Sequence, residues 1–222
     1  MKFFMLLNIL SSMSIAHAEF DSIDLDTYYR EKGYHFSPIN SEINEGYTSN
    51  KEREIFAEEL KKLPHITKIA EVGFNTGHSA EVFLESSNNS QLVSFDINTH
   101  YYIGIGVEFM QKKYNNRFSF VAGDSRATVP QYFQENPDQK FDLIFIDGCH
   151  LFDFCLTDIK NFKKLSHKNT ILWIDDYDPI NCIPVKNAVD HAEALGIIKV
   201  IKSYFVEDDS GPRGWVEAKY VY

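Results

Sequence analysis

Short runs rich in Ile, Val and Phe alternate along this chain with longer stretches whose apolar residues recur at helical spacing. The runs Thr67–Val72, Gln91–Phe95, Arg117–Ala122, Phe141–Ile146 and Thr170–Ile174 read as strands. Phe141–Ile146 is apolar almost throughout, as a central parallel strand requires, with Asp142 at its start. Between the runs, the spacing predicts helices over Gly77–Ser86, Tyr101–Tyr114, Leu151–Leu165 and Ile183–Leu195, and one from Thr128-Val-Pro130 to Glu135. Upstream, Thr48 or Ser49 can cap a helix over Asn50–Leu63, where Ile55, Phe56, Leu60 and Leu63 share a face. Pro64 stops that helix. A short helix is expected around Ile23–Glu31 in a polar, aromatic segment. Two further strands, Ile197–Val206 and Trp215–Tyr222, flank the turn-rich Glu207–Gly214. Strand and helix in alternation predict an α/β fold, a doubly wound and mostly parallel sheet.

The first strand leads into Lys68-Ile-Ala-Glu-Val-Gly-Phe-Asn-Thr-Gly-His-Ser-Ala80, a strand, a glycine turn and a helix start. Gly73 and Gly77 permit positive φ and a close backbone approach. Ser79 and free backbone N–H groups open the helix, where the dipole favours a polar or anionic group. A dinucleotide site would have three glycines spaced G-x-G-x-x-G. With two, a pyrophosphate is poorly cradled, and a ligand with a ribose and an amine fits better. Glu71, an acid in an apolar strand, requires a cationic or hydrogen-bond-donating partner. Asp96 lies about 20 residues beyond the turn, where a nucleotide-binding sheet holds ribose hydroxyls.

Glu71-Val-Gly-Phe-Asn-Thr-Gly-His-Ser-Ala80 resembles the first motif of class I S-adenosylmethionine (SAM) dependent methyltransferases. The similarity runs from about Glu45 to Val189 through Ser94-Phe-Asp96, Gly123-Asp-Ser-Arg126, Phe141-Asp-Leu-Ile-Phe-Ile-Asp-Gly148 and Ile174-Asp-Asp176. It implies a seven-stranded sheet closed by an antiparallel last strand. It also implies SAM as cofactor, bound by Glu71, Gly73, Asn75, Gly77, Ser79, Asp96, Asp124, Ser125 and Asp147, with Glu45–Thr48 above it. His78 is expected to pack beside the cofactor rather than react.

Glu71, Asp96, Asp147, Asp175 and Asp176 are all expected at one sheet edge. Two carboxylates about 5 Å apart repel by roughly 3 kcal/mol at an effective dielectric of 20, so the cluster requires positive charge. The cofactor's sulfonium and ammonium supply part of it. Metal-dependent O-methyltransferases of this fold place acids where Asp147, Asp175 and Asp176 stand, which implies a hard divalent ion such as Mg²⁺ on those three. The other reading has Asp175 and Asp176 capping a turn. His150, three residues past Asp147, is the candidate general base; its other reading is a hydrogen bond to a loop carbonyl. The expected activity is methylation of a small-molecule hydroxyl. Two alternatives stand beside it: a non-catalytic interaction protein on this scaffold, and an NAD-dependent oxidoreductase. Tyr101, Tyr102, Tyr177 and Trp215 are candidate linings for an acceptor pocket, or core.

The net charge of −10 argues against nucleic acid as the main partner. Lys2, the apolar Phe3–Leu10 and Ala16-His-Ala18 match a secretory leader with cleavage after Ala18, and the apolar run is too short for a membrane span. The expected location is therefore secreted or periplasmic, or cytoplasmic if the segment is not a leader. Three cysteines, Cys149, Cys155 and Cys182, lack metal-site spacing and allow at most one disulfide. The expected organisation is a leader at 1–18, a helical or irregular cap at 19–64 and a catalytic domain at 65–222.

Overall fold

The computed structural model describes residues 22–35, 48–178, 180–208 and 211–222. The expected leader and the Glu45–Tyr47 part of the expected cofactor cover lie outside them. Strands β1 (Lys68–Val72), β2 (Gln91–Asp96), β3 (Phe118–Ala122), β4 (Phe141–Ile146), β5 (Ser166–Ile174), β6 (Ile198–Asp208) and β7 (Gly211–Tyr220) form one sheet in the order β3-β2-β1-β4-β5-β7-β6. The first five are parallel, and β7 runs antiparallel between β5 and β6.

Alternation along each strand divides the core in two. Ile69, Leu143, Phe145, Ile171 and Trp173 face one layer; Ala70, Val72, Ile144, Ile146, Leu172 and Ile174 face the other. Helices α1 (Leu25–Glu31), α2 (Asn50–Lys61), α3 (His78–Ser86) and α4 (Ile103–Tyr114) cover the first face. Helices α5 (Ser125–Glu135), α6 (Phe152–Phe162) and α7 (Ile183–Ala194) cover the second.

Three boundaries differ from the sequence reading. Helix α5 begins at Ser125, not Thr128, because the Asp124 carboxylate accepts the Arg126 N–H and caps the helix early. Strand β5 begins at Ser166, not Thr170: Ser166 pairs with Phe141, and the Thr170 hydroxyl donates to the Phe141 carbonyl, so polar residues continue the ladder. Most of the expected Glu207–Gly214 turn is strand, since Glu207 pairs with Pro212 and Asp208 with Gly211. Strand β5 pairs with β7 only over Val216–Ala218. The start of β7 is thus a two-stranded ribbon, where Pro212 breaks no central ladder.

The segment before Pro64 shares the core rather than sitting on it. Ser49 caps α2 in a capping box with Glu52, and Phe56 lies among Phe83, Phe145, Trp173 and Trp215. Helix α1 latches onto the turn after β1. The Tyr29 hydroxyl donates to the Thr76 carbonyl at 3.2 Å, and His78 bridges Thr76 Oγ1 and Asp26 Oδ1, each at 2.7 Å. Asp26 also accepts from Arg53 at 3.0 Å.

Burial holds His78 below its usual 6.5, so the ring is neutral and donates from Nε2 to Asp26. Burial alone would raise the Asp26 carboxyl, but the contacts with His78 and Arg53 outweigh it and hold it well below the usual carboxylate range. Both folded values are depressed, so both contributions are present at neutral pH and are lost as the pH falls. Thermal melting should therefore drop as the pH falls from about 6.5 towards 4. A His78→Gln chain should lose the upper part of that drop; an unchanged profile would contradict the latch.

Candidate active site

The carboxyl ends of the parallel strands are held level by backbone bonds one residue past each strand. Gly73 N–H donates to Phe95 O, Gly123 N–H to Asp96 O, Asp147 N–H to Val72 O and Asp175 N–H to Ile146 O, all at 2.8–2.9 Å. This levelling sets the residues just after β1, β2, β3, β4 and β5 along one edge. The order of the strands reverses between β1 and β4, which opens a crevice at that edge. A cleft of about 710 Å³ occupies it, within the usual range for small-molecule sites.

Gly73, Asn75, Ser79, Asp96, Asp124, Ser125, Asp147, His150, Asp175 and Asp176 all line the cleft. Two expected ligand residues do not. Glu71 is fully buried behind the lining, its two oxygens accepting from the Ser79 and Ser94 hydroxyls. Gly77 has φ +92, and a Cβ there would strike the Phe74 ring, so this glycine seats Phe74 and starts α3. Gly73 has a similar reason: at φ +94 a Cβ would lie 1.8 Å from the Asp147 carbonyl oxygen. The missing side chain is required by the neighbouring strand's exit.

Burial pushes Glu71 up to about 8, with the charges of Asp147 and Asp96 adding to the rise against the serine hydroxyls. A raised acid contributes stability below its unfolded value, lost as the pH rises through the folded one. A ligand-free Glu71→Gln chain should therefore melt above the native chain at pH 8, with the gap closing near pH 4.5. A gap that does not change with pH would contradict a neutral Glu71.

Asp96 Oδ2 accepts the Asn75 N–H at 2.9 Å and Oδ1 accepts the Asn98 N–H at 2.7 Å. The carboxylate thus shapes the loop while facing the cleft. Asn75 sits at φ +45, and its Oδ1 is buried with no partner among the described residues. An acceptor left open in a cleft is a place for a ligand donor. Asp124 is held by Arg126 at 2.6 Å, whose guanidinium lies 3.8 Å over the Phe154 ring beside the cleft.

At the β4 and β5 ends, His150 Nε2 lies 2.7 Å from Asp176 Oδ2 and 3.7 Å from Asp147 Oδ1. The Asp147 and Asp176 carboxylates push the imidazole up to about 11. The two carboxylates thus favour the protonated imidazole, whereas the sequence reading expects a neutral general base. Burial raises Asp147 to about 6, with Asp176 repelling it, and burial raises Asp175 well above its usual range, with Asp147 next in effect.

Asp147, Asp175 and Asp176 do not close into the expected three-carboxylate ligand set. Among the described residues, the side chains whose ligand atoms lie within 4.8 Å of one another are His150, Asp176 and Cys182. The His150 imidazole stands between the carboxylates of Asp147 and Asp176.

Several lining residues carried no sequence signal. Arg213 and Pro212 reach the cleft because the β6–β7 hairpin is longer than its turn-rich sequence suggests. His100 lines the cleft and stacks on Tyr102 at 5.1 Å. Phe74, Ile97 and Asn181 join them. The four aromatic candidates for an acceptor pocket line none of it: Tyr102 and Trp215 are core, Tyr101 is exposed, and Tyr177 donates to Asp190.

The profile of a family described as a methyltransferase domain matches residues 70–177, from within β1 to just past β5. This segment is a SAM-dependent methyltransferase domain. Solved structures agree on the fold of this methyltransferase. A Bacillus cereus O-methyltransferase in complex with SAH is 16% identical with a TM-score of 0.66, covering 79% of this chain and 83% of its own. The O-methyltransferase TomG from Streptomyces achromogenes, in complex with SAM, is 13% identical with a TM-score of 0.68, covering 89% and 88%. An SAH-bound Podospora anserina methyltransferase is 15% identical with a TM-score of 0.68, covering 96% of each chain. No curated protein matches the sequence significantly. Among the described residues, no helix is long and apolar enough to cross a membrane.

Proposed function

We propose that this methyltransferase transfers the SAM methyl group to a hydroxyl of a small molecule, with Asp147 accepting the proton. The observation that carries the reading is the charged group at the cleft's inner end, where Asp147 faces the His150 imidazolium and Asp176. SAM, when bound, supplies a methyl group already activated by its sulfonium. The residues of the chain then align, neutralise and exclude water.

Asp96 and the Asn75 amide oxygen offer acceptors to the cofactor's hydroxyl and amino groups, and the acidic wall favours its net positive charge. Burial raises the Asp147 carboxyl above its ordinary range, which makes it a stronger base for a hydroxyl proton at Oδ1. His150 holds that carboxylate in place and lends positive charge to the oxygen that is losing its proton. The C–S bond breaks as the O–C bond forms, and the proton ends on Asp147. A cleft bounded by Arg213 and Asn181 suits an acceptor of small size.

Incubation of the full chain with methyl-labelled SAM and fractionated cell extract tests this. Label should appear in low-molecular-weight material as a base-stable ether. Label confined to protein or nucleic acid, or released by mild base as from an ester, would overturn the reading.

A further inference from the structure

We infer that His150, Asp176 and Cys182 form a binding site for a borderline divalent transition ion of the Zn²⁺ class. Their ligand atoms, an imidazole nitrogen, a carboxylate oxygen and Sγ, all lie within 4.8 Å of one another. They come from two loops: His150 from the one after β4, and Asp176 and Cys182 from the two ends of the one that joins β5 to α7. An imidazole, a thiolate and a carboxylate are a ligand set that Zn²⁺ or Co²⁺ accepts and that Mg²⁺, which takes oxygen and retains water, does not.

The geometry is close to what such an ion requires. Ligands at about 2.0–2.3 Å in a tetrahedron stand roughly 3.3–3.8 Å apart. The 2.7 Å pair of His150 and Asp176 must open slightly and the longer pairs must close. His150, with 56% of its side chain exposed, has room to turn. Cys182 is buried at the base of the group, while His150 and Asp176 face the cleft. Three protein ligands with the remaining position turned towards a cleft is the arrangement of an open site. Asp147 Oδ1, 3.7 Å from His150 Nε2, stands next to that position.

Binding requires both the Cys182 thiol and the His150 imidazolium to release a proton to solvent, so affinity should rise steeply with pH. The site goes beyond the methyl-transfer reading and is measured without SAM. A failure of one therefore leaves the other standing.

The test uses the full chain stripped with a chelator. It is titrated with ZnCl₂ and MgCl₂ against a chromophoric chelator. One Zn²⁺ should bind per chain, at least about 1,000-fold tighter than Mg²⁺. The Co²⁺-loaded chain should show a sulfur-to-metal charge-transfer band that Cys182→Ser abolishes and Cys149→Ser retains. His150→Ala, at an exposed side chain that folding tolerates, should weaken Zn²⁺ by roughly 100-fold or more. It carries the test if Cys182→Ser fails to fold. Equal affinity for the two ions, several weakly bound ions, or a Co²⁺ spectrum and Zn²⁺ affinity indifferent to Cys182 and His150 would overturn the site.

Discussion

Replacing Asp96 by Ala should weaken SAM binding by at least about 100-fold. The carboxylate faces the cleft at the end of β2 and accepts the N–H groups of Asn75 and Asn98. It therefore shapes the loop, and in the proposed complex it also holds the ribose. Hydrogen bonds to a charged group contribute about 1.5–3 kcal/mol each, and every 1.4 kcal/mol is tenfold in affinity. Two ribose bonds lost together exceed a hundredfold, before any cost from a loosened Asn75. Asp96→Asn keeps the shape and one acceptor, so its loss should be smaller, on the order of tenfold. Calorimetry on folded variants reads both. A dissociation constant unmoved by Asp96→Ala would remove this residue from the cofactor site.

Replacing Phe56 by Ala should destabilise the fold by about 3–5 kcal/mol. Its ring is fully buried, 4.9 Å from Trp215 edge-on and 5.5 Å from Trp173 in a stack, with Phe83 and Phe145 completing the cage. At about 2–4 °C per kcal/mol for a chain of this length, melting should fall by roughly 6–20 °C. The size of the effect separates two organisations. If the segment before Pro64 were a detachable cap, the variant would lose little global stability. A single lowered transition is expected instead, because Phe56 fills a hole in the core shared by β4, β5 and β7. A melting temperature within a degree or two of the native value would contradict that shared core.

How far each feature is legible in the sequence depends on how local it is. Strand starts and ends from β1 to β4 come from apolar runs bounded by Gly, Asp and Asn, which are local signals. The acids at the strand ends are equally visible, because a parallel sheet brings the residues after its strands to one edge. Glu71 is legible as an acid needing a partner, but the partner is not. Ser94 reaches it only because β1 and β2 pair in the register Glu71↔Ser94. The start of α5 is obscured because Pro130 resembles a helix start, while the Asp124 cap, four residues before Thr128, has already begun the helix.

The metal triad shows the same limit. Composition places Asp147, Asp175 and Asp176 at the edge, but side-chain direction decides whether they converge. Asp176, at φ +56, turns its carboxylate towards His150 and Cys182 instead. Cys182 lies 33 residues from Cys149, too far for any metal-site spacing to flag it. Arg213 reaches the cleft through hairpin pairing, which the run of turn-forming residues conceals.

Calorimetric titration of the full chain with SAM tests the central claim most directly. The cleft, its acidic wall and the match to a methyltransferase domain predict one saturable site with micromolar affinity, about −8 kcal/mol. A folded, cooperatively melting chain that takes up no SAM would contradict it.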